Sequence, residues 1–208
     1  MPTTRTYGDN CGIARALDVV GERWALLVVR ELLLGAQRFS DLRTALPGAS
    51  SNLLTDRLRE LEAREVITRR KLAPPAGSWV YKLTGWGREL EPILLALGGW
   101  GLRVPPAGSA SLNATSMMLF LRGGGKPDPA RPPEEYRVEF GESVWTVRAE
   151  GGALHVERGE PANPMAAIST DPVTFNELLA NPDRVPAAQV RTSGDPMALD
   201  RLLRSVGA

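Results

Sequence analysis

Hydrophobic residues recur with a helical period along residues 10–101 and divide this part of the chain into short helices. The predicted helices cover about Cys11–Val20, Arg23–Leu34, a short segment capped by Ser40, a fourth helix ending near Arg64 and a last helix beginning at Thr84. Before the last helix, residues 66–72 and 79–83 are β-rich runs on either side of APPAGS, which predicts a hairpin. Pro92 lies inside the last helix, so we expect a kink or a delayed start there.

The fourth helix carries both an apolar stripe and a polar face. Leucines at 54, 58 and 61 follow an i, i+4, i+7 spacing, which buries one side of the helix. Ser50 or Ser51 can cap its first backbone N–H groups. The opposite side carries short polar groups and one guanidinium, namely Asn52, Thr55, Asp56 and Arg59.

The periodicity changes after RVPPAGSAS (103–111), which we interpret as a linker between residues 1–102 and residues 112–208. Beyond it, LNATSMMLFLRG predicts a helix and residues 122–133 predict a long loop. Alternating positions predict an antiparallel meander in YRVEF, SVWTVRA and ALHVER, and a further strand at 165–170. Two more helices, PVTFNELLAN and DPMALDRLLRSV, flank a short strand in QVRTSG, so the second half is α+β.

The order of elements in the first half is that of a winged helix-turn-helix domain. In that arrangement the second helix of the pair enters the major groove of DNA. Asn can read adenine, Arg can read guanine or hold phosphate, and short hydroxyl residues permit close approach. Basic residues beside the hairpin loop suit the DNA backbone. The candidate DNA-binding residues are Arg38, Ser50, Ser51, Asn52, Thr55, Asp56, Arg59, Arg69, Arg70 and Lys71.

A solvated helix face is the alternative interpretation of these polar residues, because such a set occurs on many surfaces. The charge distribution bears on the choice. The whole chain has a net charge of only +1, yet residues 1–104 hold 15 Lys and Arg against 11 Asp and Glu, whereas the remainder holds 10 against 13. This asymmetry indicates an anion-binding N-terminal half, although many soluble domains differ as much by chance.

Composition indicates the class and the compartment of the protein. Apolar residues make up 43% of the chain, which is typical of a globular protein, and no run of eighteen apolar residues predicts a membrane span. The segment MPTTRTYGDN lacks the apolar core of a signal peptide. Cys11 is the only cysteine, which excludes an intrachain disulfide. We therefore expect a cytoplasmic protein that is not inserted in a membrane.

Residues 10–101 resemble the HxlR family of bacterial regulators. The most specific matches are Gly21 with Trp24, Arg38-Phe39, Leu54…Arg57-Leu58…Leu61, and Tyr81-Lys82-Leu83-Thr84 leading into Gly87. The resemblance implies a homodimeric winged-helix transcription factor whose first and last N-terminal-domain helices form the dimer interface. In the last helix the candidate dimer residues are Leu90, Leu94 and Leu97, which lie near heptad spacing.

The chain departs from the family pattern at two places. Glu65-Val66-Ile67 stands in place of the usual acidic-Gly-Leu-Ile turn, so we expect the fourth helix to run further into the hairpin. Trp86 stands in place of a polar residue, and we expect it to contact a partner subunit or the second domain. Cys11 lies where redox-sensing members of this family carry a reactive cysteine. An inert residue at the dimer interface is the alternative for Cys11.

The end of the chain, AQVRTSGDPMALDRLLRSVG, resembles the end of sterol-carrier-protein-like lipid-binding domains, which close with a strand, a Gly-Asp turn and an apolar helix. This resemblance implies an α+β layer around an apolar cavity. An ordinary hydrophobic core is the alternative for each candidate. The candidate ligand-binding residues are Met117, Met118, Phe120, Trp145, Val147, Phe175, Leu178, Met197 and Leu202.

The sequence offers little support for catalytic or metal chemistry. His155, the only histidine, lies mid-strand without a nearby nucleophile motif, and no His/Cys cluster has the spacing of a zinc site. GGGK (123–126) lacks the upstream glycine and the Ser/Thr of a phosphate-binding loop, and Pro127 follows it, so we expect a flexible loop. We therefore expect no enzyme activity, no metal and no cofactor.

These patterns together predict an α+β protein with an N-terminal winged helix-turn-helix domain and a C-terminal sterol-carrier-like domain. The expected function is that of a homodimeric HxlR-type repressor that binds double-stranded DNA and senses an apolar small molecule. Two alternatives stay open. One is a carrier of hydrophobic ligands whose winged domain serves only protein contact, and the other is a thiol redox sensor that acts through Cys11.

Overall fold

A computed structural model describes residues 6–73, 77–105 and 112–206 of the chain. The chain divides into two compact units, Met1–Pro105 and Pro106–Ala208. Residues 106–111 of the predicted linker and residues 74–76 of the predicted hairpin loop lie outside the described residues.

The N-terminal unit consists of short helices and one two-stranded hairpin, in the order that the hydrophobic pattern predicts. Its elements are α1 (Gly12–Val20), α2 (Ala25–Leu32), α3 (Phe39–Ala45), α4 (Ser51–Ala63), β1 (Ile67–Lys71), β2 (Trp79–Leu83), α5 (Gly85–Arg88) and α6 (Glu91–Gly101). The two strands pair antiparallel, with Ile67 opposite Leu83 and Lys71 opposite Trp79. We call this β1–β2 hairpin the wing.

The leucine stripe of α4 is buried as predicted, and α2 supplies the facing side of the core. Leu54, Leu58 and Leu61 of α4 are at most 1% exposed, and Val28, Val29 and Leu32 of α2 are equally buried. Leu27 of α2 is 37% exposed and lies at the surface. Consecutive residues of a helix point in different directions around its axis, so the apolar run at 26–29 cannot all face the core.

Three helix starts differ from the predicted ones for identifiable reasons. Trp24 has a left-handed φ of 78°, so α2 begins at Ala25 rather than Arg23. Ser40 does not cap α3, because the carboxylate of Asp41 accepts the backbone N–H of Arg38 at 3.0 Å and the helix begins one residue before Ser40. Pro92 lies in the first turn of α6, where a missing N–H breaks no helical hydrogen bond. The delayed start is therefore confirmed.

The end of α4 corrects the expectation that this helix runs further into the hairpin. Glu65 takes a left-handed φ of 58°. The N–H of Val66 donates to the carbonyl of Leu61 at 2.9 Å and the N–H of Glu65 donates to the carbonyl of Glu62 at 3.0 Å, which is the hydrogen-bond pattern of a Schellman motif. The helix ends at Ala63, because Glu65 adopts the conformation that glycine supplies at this position in the family pattern.

The C-terminal unit combines a five-stranded sheet with three helices and two short 3-10 turns. Its elements are α7 (Ala114–Gly124), β3 (Glu134–Phe140), β4 (Ser143–Glu150), β5 (Ala153–Arg158), β6 (Ala166–Thr170), α8 (Pro172–Ala180), β7 (Arg191–Gly194) and α9 (Pro196–Arg204). The sheet order is β5-β4-β3-β6-β7. The predicted meander β3–β4–β5 is antiparallel and confirmed, whereas β3 and β6 pair in parallel.

All three helices contact the same face of the sheet. Alternate residues of β3 are buried, from Glu134 to Phe140, and β4 places Trp145 and Val147 on the same side. The ring of Phe140 meets the ring of Phe175 on α8 edge to face, with centroids 5.4 Å apart. The opposite face carries other charged side chains of the same strands, among them Glu135, Arg137, Glu139 and Arg148. The unit is therefore a two-layer α+β structure with one polar sheet face.

The glycine run at 123–126 does not form the flexible loop that we expected. Helix α7 continues through Gly124, and Gly125 closes it with its N–H on the carbonyl of Leu121 at 2.9 Å. A side chain at Gly125 would collide with Leu154 of β5. The glycines thus let the end of α7 approach the sheet closely.

Candidate functional site

The polar residues predicted to contact DNA form one continuous face of α4. Asn52, Asp56 and Arg59 are exposed and Thr55 is half-buried, at positions i, i+4, i+7 and i+3 of the helix. The guanidinium of Arg59 is 76% exposed and its nearest carboxylate, on Asp56, lies 3.9 Å away. We call these four residues the recognition face. Since an exposed pair at this distance is weak, Arg59 is free to exchange Asp56 for another acceptor.

The residues at the start of α4 take distinct local roles. The hydroxyl of Ser50 caps the helix by accepting the N–H of Leu53 at 3.3 Å. The hydroxyl of Thr55 donates to the carbonyl of Ser51 at 2.8 Å. Ser51 in turn accepts a hydrogen bond from Arg43 of α3, an exposed arginine that the sequence analysis did not single out. Arg43 therefore adds a cation beside the start of α4.

Arg57 holds α4 in place, although it is an arginine on the predicted DNA-contacting helix. It is only 8% exposed, and its guanidinium pairs with Glu60 and lies 3.8 Å from the carboxylate of Glu22. The sequence contains the signal for this role, because position 57 lies between Leu54 and Leu61 on the apolar side of the helix. Arg57 faces the interior and positions the recognition face from behind.

A tryptophan packs against the turn that precedes α4. A Cβ atom at Gly48 would lie 2.7 Å from the ring of Trp24, so only glycine permits this close approach. Trp24 occupies its left-handed conformation at the start of α2, which costs on the order of 1–3 kcal/mol for a residue of this type. The contact joins the core helix α2 to the turn between α3 and α4.

The wing carries the predicted basic residues on its surface. Arg69, Arg70 and Lys71 are all exposed. The guanidinium of Arg69 stacks 4.5 Å from the ring centroid of Trp79 and 5.8 Å from that of Tyr81. This stacking restrains Arg69 while its charge stays at the surface.

Two further contacts place the wing and Arg38. The backbone of Gln37 exchanges two hydrogen bonds with Tyr81 of β2, at 3.0 and 2.8 Å. This bridge attaches the segment just before α3 to the edge of the wing. Arg38 follows directly and its side chain is exposed. The N-terminal unit thus holds basic residues at three places: before α3, beside the start of α4, and on the wing.

The helix predicted to form a dimer interface carries its apolar side chains on the outside. None of the residues of α6 is buried, and Ile93, Leu97 and Trp100 are 57%, 46% and 64% exposed. Leu90 and Leu94 are half-buried. On α1, Ile13 and Leu17 are also exposed, and Trp86 of α5 is 51% exposed.

The cysteine of interest lies at the start of α1. The thiol of Cys11 is exposed, and its sulfur accepts the N–H of Ala14 at 3.3 Å as the cap of the helix. The position predicted from the sequence is therefore correct. A redox role of Cys11 stays a prediction.

The candidate ligand-binding residues of the C-terminal unit fall into three groups. Phe120 and Met197 are 50% and 65% exposed, so these two side chains point away from the interior. Leu178 is half-buried. The remaining candidates, which are at most 2% exposed, form part of the core between the helices and the sheet: Met117, Met118, Trp145, Val147, Phe175 and Leu202.

Among the described residues of this unit, two of the cavities have charged walls. The first, of about 450 Å³, lies on the polar face of the sheet, where Arg148 pairs with Glu135 at 2.6 Å beside His155. The second, of about 270 Å³, lies beside Glu134 and the end of α9, and Leu202 is the one predicted ligand residue in its wall.

Glu134 is a buried carboxylate with a full set of partners. Arg201 of α9 donates to its two oxygens at 2.7 and 3.3 Å, and the hydroxyl of Tyr136 donates at 2.5 Å. Burial acts to raise the pKa of the Glu134 carboxyl, but the hydrogen bonds from Arg201 and Tyr136 outweigh it and the pKa lies below its usual value. Burial and the bond to Glu134 raise the pKa of the Tyr136 hydroxyl.

The described residues offer no arrangement for a metal ion, since no group of three or more His, Cys, Asp or Glu side chains converges among them. Within the same residues, no helix has the length and apolarity needed to cross a bilayer.

The N-terminal unit has clear relatives among known proteins. The profile of the HxlR-like helix-turn-helix family matches residues 19–107. The uncharacterized HTH-type transcriptional regulator YvaP of Bacillus subtilis is 40% identical over 86 residues, which are 41% of this chain and 80% of YvaP. An uncharacterized HTH-type transcriptional regulator of Synechocystis sp. is 40% identical over 90 residues, 43% of this chain and 67% of that protein.

A solved structure of the redox regulator HypR in its oxidized form is 33% identical, with a TM-score of 0.44 over 47% of this chain and all of that one. The identity to YvaP extends over four fifths of that protein. The chain belongs to the HxlR family of helix-turn-helix transcriptional regulators.

Proposed function

We propose that the protein is a homodimeric repressor that binds double-stranded DNA through its N-terminal unit and responds to a small molecule with an apolar body through its C-terminal unit. The observation that carries the DNA-binding part is the exposed recognition face of α4, in a helix-turn-helix of a family of transcriptional regulators.

In this proposal the first half of α4 enters the major groove. Asn52 has the two donor and acceptor groups that match adenine, and Arg59 has the fork that matches guanine. Ser50, Ser51, Thr55 and Asp56 are short, so they let the helix backbone approach the base edges. The start of α4 also favours a phosphate, because its unpaired N–H groups point outward there.

The basic residues around α4 would contact the DNA backbone. Arg38 directly precedes α3 and Arg43 lies on it, whereas Arg69, Arg70 and Lys71 lie on the wing. Each phosphate contact releases a condensed counterion, so binding depends steeply on salt. Trp79 restrains Arg69, which lowers the entropy lost when that arginine meets a phosphate.

A second copy of the chain is the partner proposed for α6. Most of the large apolar side chains of α6 are exposed, which is unfavourable in water. Two copies related by a two-fold axis would bury α6 and the exposed apolar residues of α1, and would present two recognition faces to successive half-sites.

The effector is assigned to the C-terminal unit because its interior is rich in adaptable side chains. Met117 and Met118 of α7 are buried in the core of this unit, as are Trp145, Val147 and Phe175. Methionine fills irregular space and can rearrange around a ligand. The effector must bind the two arrangements of the dimer with different affinity, since equal affinity shifts neither population.

The test of DNA binding uses a duplex that the full-length protein selects from a randomised pool. We expect a near-palindromic site and an affinity that falls steeply between 50 and 200 mM salt, by roughly a factor of 10³ for about six phosphate contacts. Arg59→Ala should weaken binding to this site by about 1–3 kcal/mol and relax the preference at one base pair of each half-site.

The matched control is Arg184→Ala, which removes an exposed arginine of the C-terminal unit and should leave the affinity unchanged. Selection of no common sequence, together with binding that does not respond to salt, would contradict the proposal and favour the hydrophobic-ligand carrier.

A further inference from the structure

The second cavity of the C-terminal unit combines a basic rim with apolar walls. We call it the Arg201 pocket. Four of its lining residues are cations and two are carboxylates, and the rest are mainly apolar or small. The cations are Lys126, Arg131, Arg201 and Arg204, the carboxylates are Asp128 and Glu134, and the apolar wall consists of Pro127, Pro132, Ala149 and Leu202.

The carboxylates of the pocket do not use up its positive charge. Glu134 is satisfied by Arg201 and Tyr136, and Arg204 pairs with Asp200 at 2.8 Å. Arg131 makes only a long ion pair with Glu134, at 3.6 Å, and its side chain is 46% exposed, so it can exchange this partner for another anion. Within the part of the chain that the structure describes, no carboxylate pairs with Lys126. The rim therefore has two cations available for an anion.

The rest of the pocket is suited to an apolar group. Ala149 and Leu202 are buried core residues that form its inner wall, and Pro127 and Pro132 border it from the loop after α7. The backbone N–H of Lys126 donates to the carbonyl of Ser205 at 2.8 Å, which fixes this loop against the end of α9. A ligand that fills the pocket thus meets both cations and hydrocarbon.

We propose that the Arg201 pocket binds a small carboxylic acid with an apolar body, its carboxylate held by Lys126 and Arg131. A volume of about 270 Å³ corresponds to about nine water molecules, at about 30 Å³ each, so the ligand has roughly ten non-hydrogen atoms. This is smaller than a drug-sized ligand and smaller than a sterol. An aromatic or short-chain acid meets these requirements.

This site differs from the interior cluster around Met117 and Trp145, because it opens at the end of the sheet and needs an anion. Its role as the effector site rests on the function proposed above. Binding of the acid itself does not depend on DNA, so the two proposals can fail separately.

Benzoate is the probe that tests the site, with benzyl alcohol as its uncharged counterpart. In an NMR titration of the full chain, benzoate should shift the amide signals of Lys126, Ala149 and Ser205 saturably. Benzyl alcohol should bind at least tenfold more weakly, because it lacks the charge. Equal affinities for the two probes, or shifts confined to other residues, would overturn the proposal.

Variants then test the two cations. Lys126→Gln and Arg131→Gln change exposed side chains, and each should weaken benzoate binding by about tenfold. Arg184→Gln, the matched control outside the pocket, should not weaken it. Unchanged benzoate affinity in both pocket variants would refute the assignment of the carboxylate.

Two further measurements distinguish this proposal from a plain anion site and from the proposed function. Inorganic phosphate should not compete with benzoate at equal concentration, since it lacks the apolar body, and competition on equal terms would show a plain anion site instead. Operator affinity is measured with and without benzoate on the same protein. Loss of DNA binding with intact benzoate binding would contradict the proposed function and leave this site standing.

Discussion

At the scale of single residues, two inward-facing arginines show how burial assigns different tasks to the same side chain. Arg57 lies between Glu60 of α4 and Glu22, and so links α4 to the segment between α1 and α2. Arg201 neutralises the buried carboxylate of Glu134 and connects α9 to the first residue of β3. Neither arginine is available to solvent in the way that Arg59 is. A buried carboxylate of this kind makes stability depend on pH.

Stability should fall in acid because of Glu134. Its pKa is lowered in the folded protein, so the ionised carboxylate contributes stability that is present in full above the unfolded value of about 4.5 and is lost as pH falls through the folded value. Glu134→Gln should cost about 2 kcal/mol at pH 7 and progressively less below pH 4.5. Urea unfolding followed by circular dichroism from pH 7 to pH 3 measures this difference.

Tyr136→Phe serves as the control for that experiment. It removes the hydroxyl but keeps the pairing between Arg201 and Glu134, so its unfolding should still depend on acid. A difference between wild type and Glu134→Gln that stays constant across the whole pH range would show that the carboxylate charge is not responsible.

The sequence predicts whether a side chain is exposed or buried only where a periodic pattern determines it. The exposure of Asn52, Asp56 and Arg59 follows from the leucine stripe of α4, because a helix with one buried side must expose the other. The start of α3 could not be predicted to the residue, since both Ser40 and Asp41 favour helix starts. In the structure the carboxylate of Asp41 accepts the N–H of Arg38. The exposure of Met197 depends on how α9 lies on the sheet, which the sequence pattern does not fix.

At the scale of elements, the junction of α4 with β1 decides where the recognition helix ends. The left-handed Glu65 turns the chain, and the hydroxyl of Thr84 donates to the carbonyl of Glu65 at 2.7 Å while it caps α5. A side chain at Gly87 would collide with the carbonyl of Val66. The end of α4, the base of the wing and the start of α5 are thus fixed at one place.

Glu65→Gly should stabilise the N-terminal unit. A left-handed conformation costs a residue with a Cβ about 1 kcal/mol or more, and glycine avoids this cost while losing part of the gain through its greater freedom in the unfolded state. We expect a net increase of about 0.5–1 kcal/mol in the free energy of unfolding, measured by urea denaturation.

Glu62→Gly is the matched control, since Glu62 is exposed within the last turn of α4. There glycine should lower the stability by about 1 kcal/mol, as it does in helix interiors. If Glu65→Gly lowers the stability by as much as Glu62→Gly, the left-handed conformation of Glu65 is not strained. The sequence shows that glycine is missing from this turn, but it does not show that α4 still ends at Ala63. The turn is retained because Glu65 adopts the left-handed conformation.

At the scale of the whole molecule, the N-terminal unit by itself leaves a hydrophobic surface that a second subunit can cover. The sequence predicted the helix and its apolar residues, since both follow from local periodicity. Which of those residues face outward depends on the packing of α6 against α2. That packing leaves Leu94 half-buried and Leu97 and Trp100 exposed.

If the protein forms the proposed dimer, Leu97→Glu should convert it into a folded monomer. The new carboxylate would be exposed in the monomer but unpaired in the interface, so the dimer dissociation constant should rise on the order of a hundredfold or more. Sedimentation velocity measures the change. Val173→Glu, at an exposed apolar position of α8, is the control and should leave the dimer intact. A Leu97→Glu protein that still sediments as a dimer would place the interface elsewhere.

The parallel pairing of β3 with β6 has a consequence for the order in which the chain folds. Tyr136 lies opposite Ala166, so this pair can close only after the whole β4–β5 segment has been synthesised. The wing, by contrast, pairs residues that are at most sixteen positions apart. Because long-range pairings form slowly, the recognition helix is complete on a nascent chain while the central strand of the other unit still lacks a neighbour. On a ribosome-bound chain the helix-turn-helix unit would thus be folded before the proposed effector-binding unit is complete.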